Sequence, residues 1–202
     1  TRHAGGDRGA VGAPGDGAST GIWAFANPVG TTNGSDASNP ENDATPGSGV
    51  RCFATGNGST TAGGDDVDGG PTTLISPRLD LSGVSAAVLS YQRWFANFTT
   101  QNDSFTVALS SNDGASWTTV ETVTGLGHNQ WETHELAVED HVALTDRVRV
   151  RFQTGDNPND SITEAGVDEL SLVTFDAGAK LNFYGRGQIG TPLALHVAAN
   201  PA

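Results

Sequence analysis

The stretch GGDDVDGG, residues 63–70, packs Asp65, Asp66 and Asp68 between two pairs of glycines. Like charges this close are stable when solvated, when one is protonated, or when they share a cation. Three chemistries follow: a solvated turn, a metal cage, or half of an acid/base pair. Calcium takes six to eight oxygen ligands at about 2.3–2.6 Å, and loops dense in Asp, Asn and Gly suit it. Acid/base work instead needs one carboxyl raised and one ionised within a cleft. An Asp cluster in a Gly-rich loop favours the cation, although the twelve-residue EF-hand pattern is absent. A second acidic stretch, NPEND (39–43), can join Asp16, so that Glu41 and Asp43 coordinate or cap. The stretch GDNPNDS (155–161) reads as a plain loop. Asp168 lies in AGVDELSL, an apolar run where an unpaired carboxylate would cost several kcal/mol. It needs a cation, several amide donors, or an arginine such as Arg51, Arg93 or the Arg147/Arg149/Arg151 row.

Other chemistries find little support. His3, His128, His134, His141 and His196 are scattered, and there is no H-E-x-x-H, G-x-S-x-G, P-loop or Cys/His zinc spacing. No catalytic residue is assigned, and an enzyme is not expected. The motif SNDGASW is one residue short of a sialidase Asp-box and reads as turn chemistry and packing. A net charge of −13 repels phosphate backbones and anionic membranes, so nucleic acid is excluded as a natural partner. No apolar run approaches a membrane span, so no membrane insertion is expected. Cys52, the sole cysteine, sits in VRCFAT and reads as a small core residue. The chain has no Met and begins TRHAGG, which suggests a processed extracellular protein whose signal peptide has been removed. Five N-x-S/T sequons, at Asn33, Asn57, Asn97, Asn102 and Asn159, suit a glycoprotein without establishing one.

These residues need a scaffold, and the pattern is all-β. The 27 glycines are roughly twice the usual share and imply many turns. Residues 1–15 form a Gly-rich arm without periodicity. Residues 16–70 hold long loops around short strands, of which VRCFAT (50–55) is the clearest. TTLIS (72–76) and AAVLSYQRWF (86–95) follow, the latter apolar on both faces as a central strand must be. SFTVALS and WTTVETV flank Asp113-Gly114, a hairpin turn with positive φ. WETHELAV (131–138), RVRVRF (147–152) and GVDELSLVTF (166–175) complete some eight or nine short strands, with no convincing 3.6-residue period of helix length. An antiparallel β-sandwich over 16–176 is the expected architecture. Residues 177–202 form a C-terminal extension in which Leu181/Phe183 and Leu193/Leu195/Val197 alternate. Such orphan strands must pair with a sheet edge.

GDGASTGIWAFANPVGT, NPENDATPGSGVRCFATGNG, GGDDVDGGPTTLISPRLDLSG and EAGVDEL resemble a jelly-roll module of secreted bacterial proteins, often appended to zinc carboxypeptidases. More remotely they look like the MAM and cleaved-adhesin sandwiches. The resemblance covers roughly residues 16–175 and implies a jelly-roll fold and an extracellular or cell-surface location. It also implies structural calcium between an early loop and the final strand, which maps onto Asp66, Asp68, Glu164 and Asp168. Two functional readings follow. The first is a calcium-stiffened structural or adhesive module that assembles with copies of itself, Leu193, Leu195 and Val197 adding to a neighbour's sheet edge and building filaments. The second is a carbohydrate- or protein-binding accessory domain of a secreted hydrolase. For that role Trp23, Trp94, Trp117 and Trp131 are available, though core packing suits most of them.

Overall fold

A computed structural model describes residues 9–176, apart from 46, 48, 99–102, 157, 159 and 160. The C-terminal extension, with Leu193, Leu195 and Val197, lies outside the described residues, as do Asn102 and Asn159. The strands are β1 (Ala10–Val11), β2 (Ala24–Ala26), β3 (Thr31–Asn33), β4 (Asp36–Asn39), β5 (Cys52–Ala54) and β6 (Gly70–Ile75). They continue as β7 (Val84–Asn97), β8 (Ser104–Ser110), β9 (Thr118–Thr124), β10 (Glu132–Ala137), β11 (Arg149–Asp156) and β12 (Thr163–Asp176). Among the described residues the one helical segment is a single 3₁₀ turn, Val138–Asp140.

Two five-stranded antiparallel sheets face each other, in the orders β1-β6-β11-β8-β9 and β10-β7-β12-β5-β2, with β3 and β4 as a separate hairpin. Period-two alternation builds the core between them. From β11 come Val150 and Phe152, from β8 Phe105, Val107 and Leu109, and from β7 Leu89, Tyr91 and Phe95, all essentially inaccessible. Tyr91 meets Phe152 edge-on, with ring centroids 5.3 Å apart. The Asp113-Gly114 hairpin forms as its sequence predicts, with φ of 64° and 90°, and the Asp113 carboxylate pairs with Arg78 and Arg149.

The β3–β4 hairpin lies over the second sheet, where Trp94 Nε1 donates to the Ser38 carbonyl and Trp131 Nε1 to that of Asn42. The two indoles meet edge-on at 6.0 Å across Gly166, where a Cβ would come within 2.8 Å of Trp131. Only glycine lets β12 pass beneath this pair.

Two features differ from the sequence expectation. The arm is not featureless, because Ala10 and Val11 pair with Ile75 and Leu74 of β6. β12 carries a bulge: its register against β7 shifts between Asp168 and Ser171, and Glu169 there has a φ of 52°. Before the bulge β12 pairs with β7 on one side and with Phe53 and Ala54 of β5 on the other; after it, only β7 is paired among the described residues.

Candidate functional site

Asp66 and Asp68 sit on the loop that enters β6, and the surrounding sequence fixes that loop tightly. Val67, between them, is fully buried and donates its N–H to the Thr163 carbonyl at 3.1 Å. Thr20 Oγ1 donates to the Asp66 carbonyl at 2.8 Å. Gly69 and Gly70 turn the chain with φ of 89° and 134°, values that side-chain-bearing residues rarely adopt. With Val67 as a plug, the two flanking carboxylates emerge on the same side as the end of β11, where Asp156 is wholly buried. Carboxylate oxygens of Asp66, Asp68 and Asp156 all lie within 4.8 Å of one another. Asp65 stays outside this group and accepts the Gly58 N–H at 2.6 Å.

Glu164 on β12 is 2% exposed, and Thr55 Oγ1 donates to its carboxylate. Burial above all pushes Glu164 up to about 8; the Thr55 hydroxyl opposes this, and the charges of Asp66, Asp65 and Asp68 add to it. Burial, then Asp68, raises Asp66 as well. Asp103, also buried, accepts from Ser161 Oγ (2.7 Å) and Thr163 Oγ1 (3.2 Å), tying the β7–β8 connection to the start of β12. This end of the sandwich therefore stores acidic groups out of water. Asp66 and Asp68 make no ion pair with any described residue.

The donor set fits a hard divalent cation. Oxygens about 2.4 Å from a shared calcium stand at most about 4.8 Å apart, and these three lie within that limit. Of the four ligands that the family resemblance implies, the structure groups Asp66 with Asp68 and sets Glu164 beside them. It does not bring Asp168 there. Asp168 lies further along β12 and accepts from Ala44 N at 2.9 Å and Thr45 Oγ1 at 3.2 Å. Among the described residues its carboxylate is answered by a loop amide and a hydroxyl, and by no arginine. Asp156 takes its place in the group, from a stretch read as plain loop.

The weaker set of Asp16, Glu41 and Asp43 is not assembled. Asp16 accepts from Ala13 N, Thr73 N and Thr73 Oγ1, Glu41 packs against Gly30, and Asp43 lies near Cys52. Among the sequons, Asn33 is exposed, but Asn97 is 3% exposed within β7 and cannot accept a glycan in the fold. Asn57 uses both side-chain atoms on the backbone of Val29 and Asn27.

The buried Glu164 makes stability depend on pH when no metal is bound. Its folded pKa lies above the ordinary 4.5, so the folded state holds the proton more tightly than the unfolded chain does. The associated stability is fully present below about 4.5 and is lost as pH rises towards 8. In excess chelator, denaturant melts of the wild type should therefore weaken across that window, and those of Glu164→Gln should not. Equal slopes for the two proteins would contradict this.

A second surface is the outward face of the first sheet. Gln153, Thr106 and Thr122 stand in register across β11, β8 and β9, continued on β6 by Thr73, which is buried under Asp16. Beside this row the Arg151 guanidinium lies 4.8 Å over the Trp117 ring, and Arg151 Nε has no hydrogen-bond partner. At its other end is a polar hollow of about 190 Å³, lined by Asp103, Ser104, Thr106, Gln153 and Gly155 among others. Trp23 and Trp94 are buried, as packing residues should be.

No protein-family model matches the chain, and no curated protein does. Solved structures similar to it are β-sandwich domains. One is a family 11 carbohydrate-binding module from Clostridium thermocellum in complex with a mixed-linked tetrasaccharide (14% identity, 84% of this chain and 88% of that one, TM-score 0.40). Another is the K3 cleaved adhesin domain of Lys-gingipain from Porphyromonas gingivalis (13%, 75% and 90%, TM-score 0.43). A third is a family 30 carbohydrate-binding module (12%, 87% and 93%, TM-score 0.39).

Proposed function

We propose that this chain is an extracellular, non-catalytic binding module that takes a carbohydrate on the outward face of its first sheet. A structural calcium at Asp66, Asp68 and Asp156 would hold one end of that face in place. The observation carrying the reading is the cross-strand row of Gln153, Thr106 and Thr122, set between the Trp117–Arg151 stack and the polar hollow. Sugar recognition requires short hydroxyl and amide side chains held in fixed geometry beside a planar apolar surface, and this strip supplies both. Its supports are rigid, because Gln153, Thr106 and Thr122 project from strands of a five-stranded sheet and Trp117 directly precedes β9.

The calcium reading rests on three carboxylates converging around loop glycines, with Glu164 adjacent. The ion would supply the positive charge that lets Asp66, Asp68 and Asp156 ionise together. Asp103 belongs both to the wall of the hollow and to the hydrogen-bonded cluster at Ser161 and Thr163, so the acidic end and the polar strip share a residue.

Glycan-array screening followed by calorimetry tests the binding reading. A hit should weaken by about tenfold or more in Gln153→Ala or Trp117→Ala while thermal stability changes little, as expected for lost hydrogen bonds or stacking. Absence of binding across neutral and acidic glycans would remove the reading and leave the scaffold.

A further inference from the structure

The two sheets do not close along the side where β1 and β2 form opposing edges. A groove of about 270 Å³ opens there, with Phe152 and Leu74 of the core at its floor. Val11, Phe25 and Leu170 line it and are 45%, 57% and 40% exposed, three of the seven large apolar residues exposed on the described surface. Phe25 stacks on Phe53 at 5.0 Å, so the groove has an ordered aromatic wall. Leu170 lies on the edge of β12 that, among the described residues, is unpaired on to Asp176. An unpaired backbone edge running into an apolar trough is the shape left for one more strand.

We propose that residues 191–198 of the same chain fill it, as an added strand antiparallel to 170–176 of β12, with Leu193, Leu195 and Val197 facing the trough. Three observations select this occupant. The described chain ends at Asp176, at the far end of that same edge, so the chain that follows emerges beside the slot. From Leu170 to Asp176 is about 20 Å of strand, whereas the residues between Asp176 and Leu193 can reach beyond 50 Å, ample for a return. Charge agrees as well: all 23 acidic residues precede residue 177, and the extension carries Lys180, Arg186 and His196 with no acid. Its destination is rimmed by Asp168 and Glu169.

Sequence considerations alone favoured addition to a neighbouring copy. Tethering favours the same chain, because a segment joined within about twenty residues is held at an effective concentration on the order of millimolar, well above that of a second copy at micromolar protein. Closing the edge in this way also removes a site for sheet-to-sheet aggregation.

Hydrogen–deuterium exchange on the full chain tests the proposal. Amides within 170–176 should exchange roughly tenfold or more slowly than in a Leu193→Asp/Leu195→Asp variant, at both low and high protein concentration. The milder Leu195→Thr variant should give an intermediate loss, and the core strands β7 and β11 should stay protected in all three proteins. Protection of 170–176 that disappears on dilution would overturn the proposal in favour of a partner copy. Fast exchange of this edge in the wild type, or equal protection in the variants, would overturn it outright.

Discussion

Replacing Arg93 with alanine should cost the fold about 3–5 kcal/mol, the largest effect expected of any single polar substitution. Arg93 is 8% exposed, and its guanidinium spans two carboxylates: Nε to Glu121 at 2.7 Å and Nη2 to Glu132 at 2.9 Å. Glu121 is as enclosed as Arg93, with a side chain 9% exposed. It also accepts the Tyr91 hydroxyl at 2.6 Å, and His134 Nδ1 lies 3.5 Å away. Burial pushes the Tyr91 hydroxyl far above its ordinary range, so it remains a donor at all physiological pH. Without Arg93, a buried carboxylate loses its countercharge between β9 and β10, the two strands that close this side of the sandwich. The midpoint of thermal unfolding should fall by about 10 °C for a chain of this size. Because the penalty comes from the charge left behind, Arg93→Met with Glu121→Leu should be less destabilised than Arg93→Ala alone. A double variant as weak as the sum of the two single variants would show that the pair does not act as a unit.

Calcium should shift stability by an amount of similar order. At a free concentration about a hundredfold above its Kd, an ion that binds only the folded state contributes about 2.7 kcal/mol, or roughly 5–10 °C. Excess chelator should therefore lower the melting temperature, and added calcium should restore it. The substitutions separate the structural assignment from the family-derived one. Asp156→Asn should abolish the calcium response, whereas Asp168→Asn should keep it and only loosen the loop at Ala44 and Thr45. A melting curve unmoved by chelator would argue strongly against the ion. A response lost in Asp168→Asn but kept in Asp156→Asn would return the site to the arrangement the resemblance implied.

The contrast between these two aspartates shows what the sequence could carry. Two-residue periodicity located β8, through Phe105, Val107 and Leu109, and β11, through Val150 and Phe152; Asp-Gly joined β8 to β9, and β7 was marked by a long run apolar on both faces. The same period, followed one step beyond Phe152, runs through Thr154 to Asp156, and burial alternates strictly along the whole of β11. The signal for Asp156 was therefore present, but the Gly, Asn and Pro around it have the composition of a loop. Asp168 failed for another reason. Its apolar neighbours correctly marked a strand and a carboxylate in need of partners, but the partners are the Ala44 amide and the Thr45 hydroxyl, more than 120 residues away along the chain, which no local pattern reveals. The bulge at Glu169 and the two-residue pairing of β1 are equally silent, since both are decided by backbone geometry over spans too short to show a period. Glu164 was named only through the family resemblance, since nothing in its own neighbours, Thr163 and Ala165, marks it out.

The bulge in β12 also divides that strand mechanically. With the 170–176 edge open, as it is among the described residues, a load pulling the chain at Asp176 would act first on the single ladder to β7, which opens one hydrogen-bonded pair at a time, like a zipper. The peeling front then meets Glu169 and Asp168, where side chains clamp the loop at Ala44 and Thr45. Just beyond them β5 joins on the other side, at Val167 and Gly166. From that point two ladders must yield together. The strand thus has a compliant end and a stiff end, with the stiff end carrying Glu164, so tension applied at Asp176 would be absorbed before the acidic group of Asp66, Asp68 and Asp156 is disturbed.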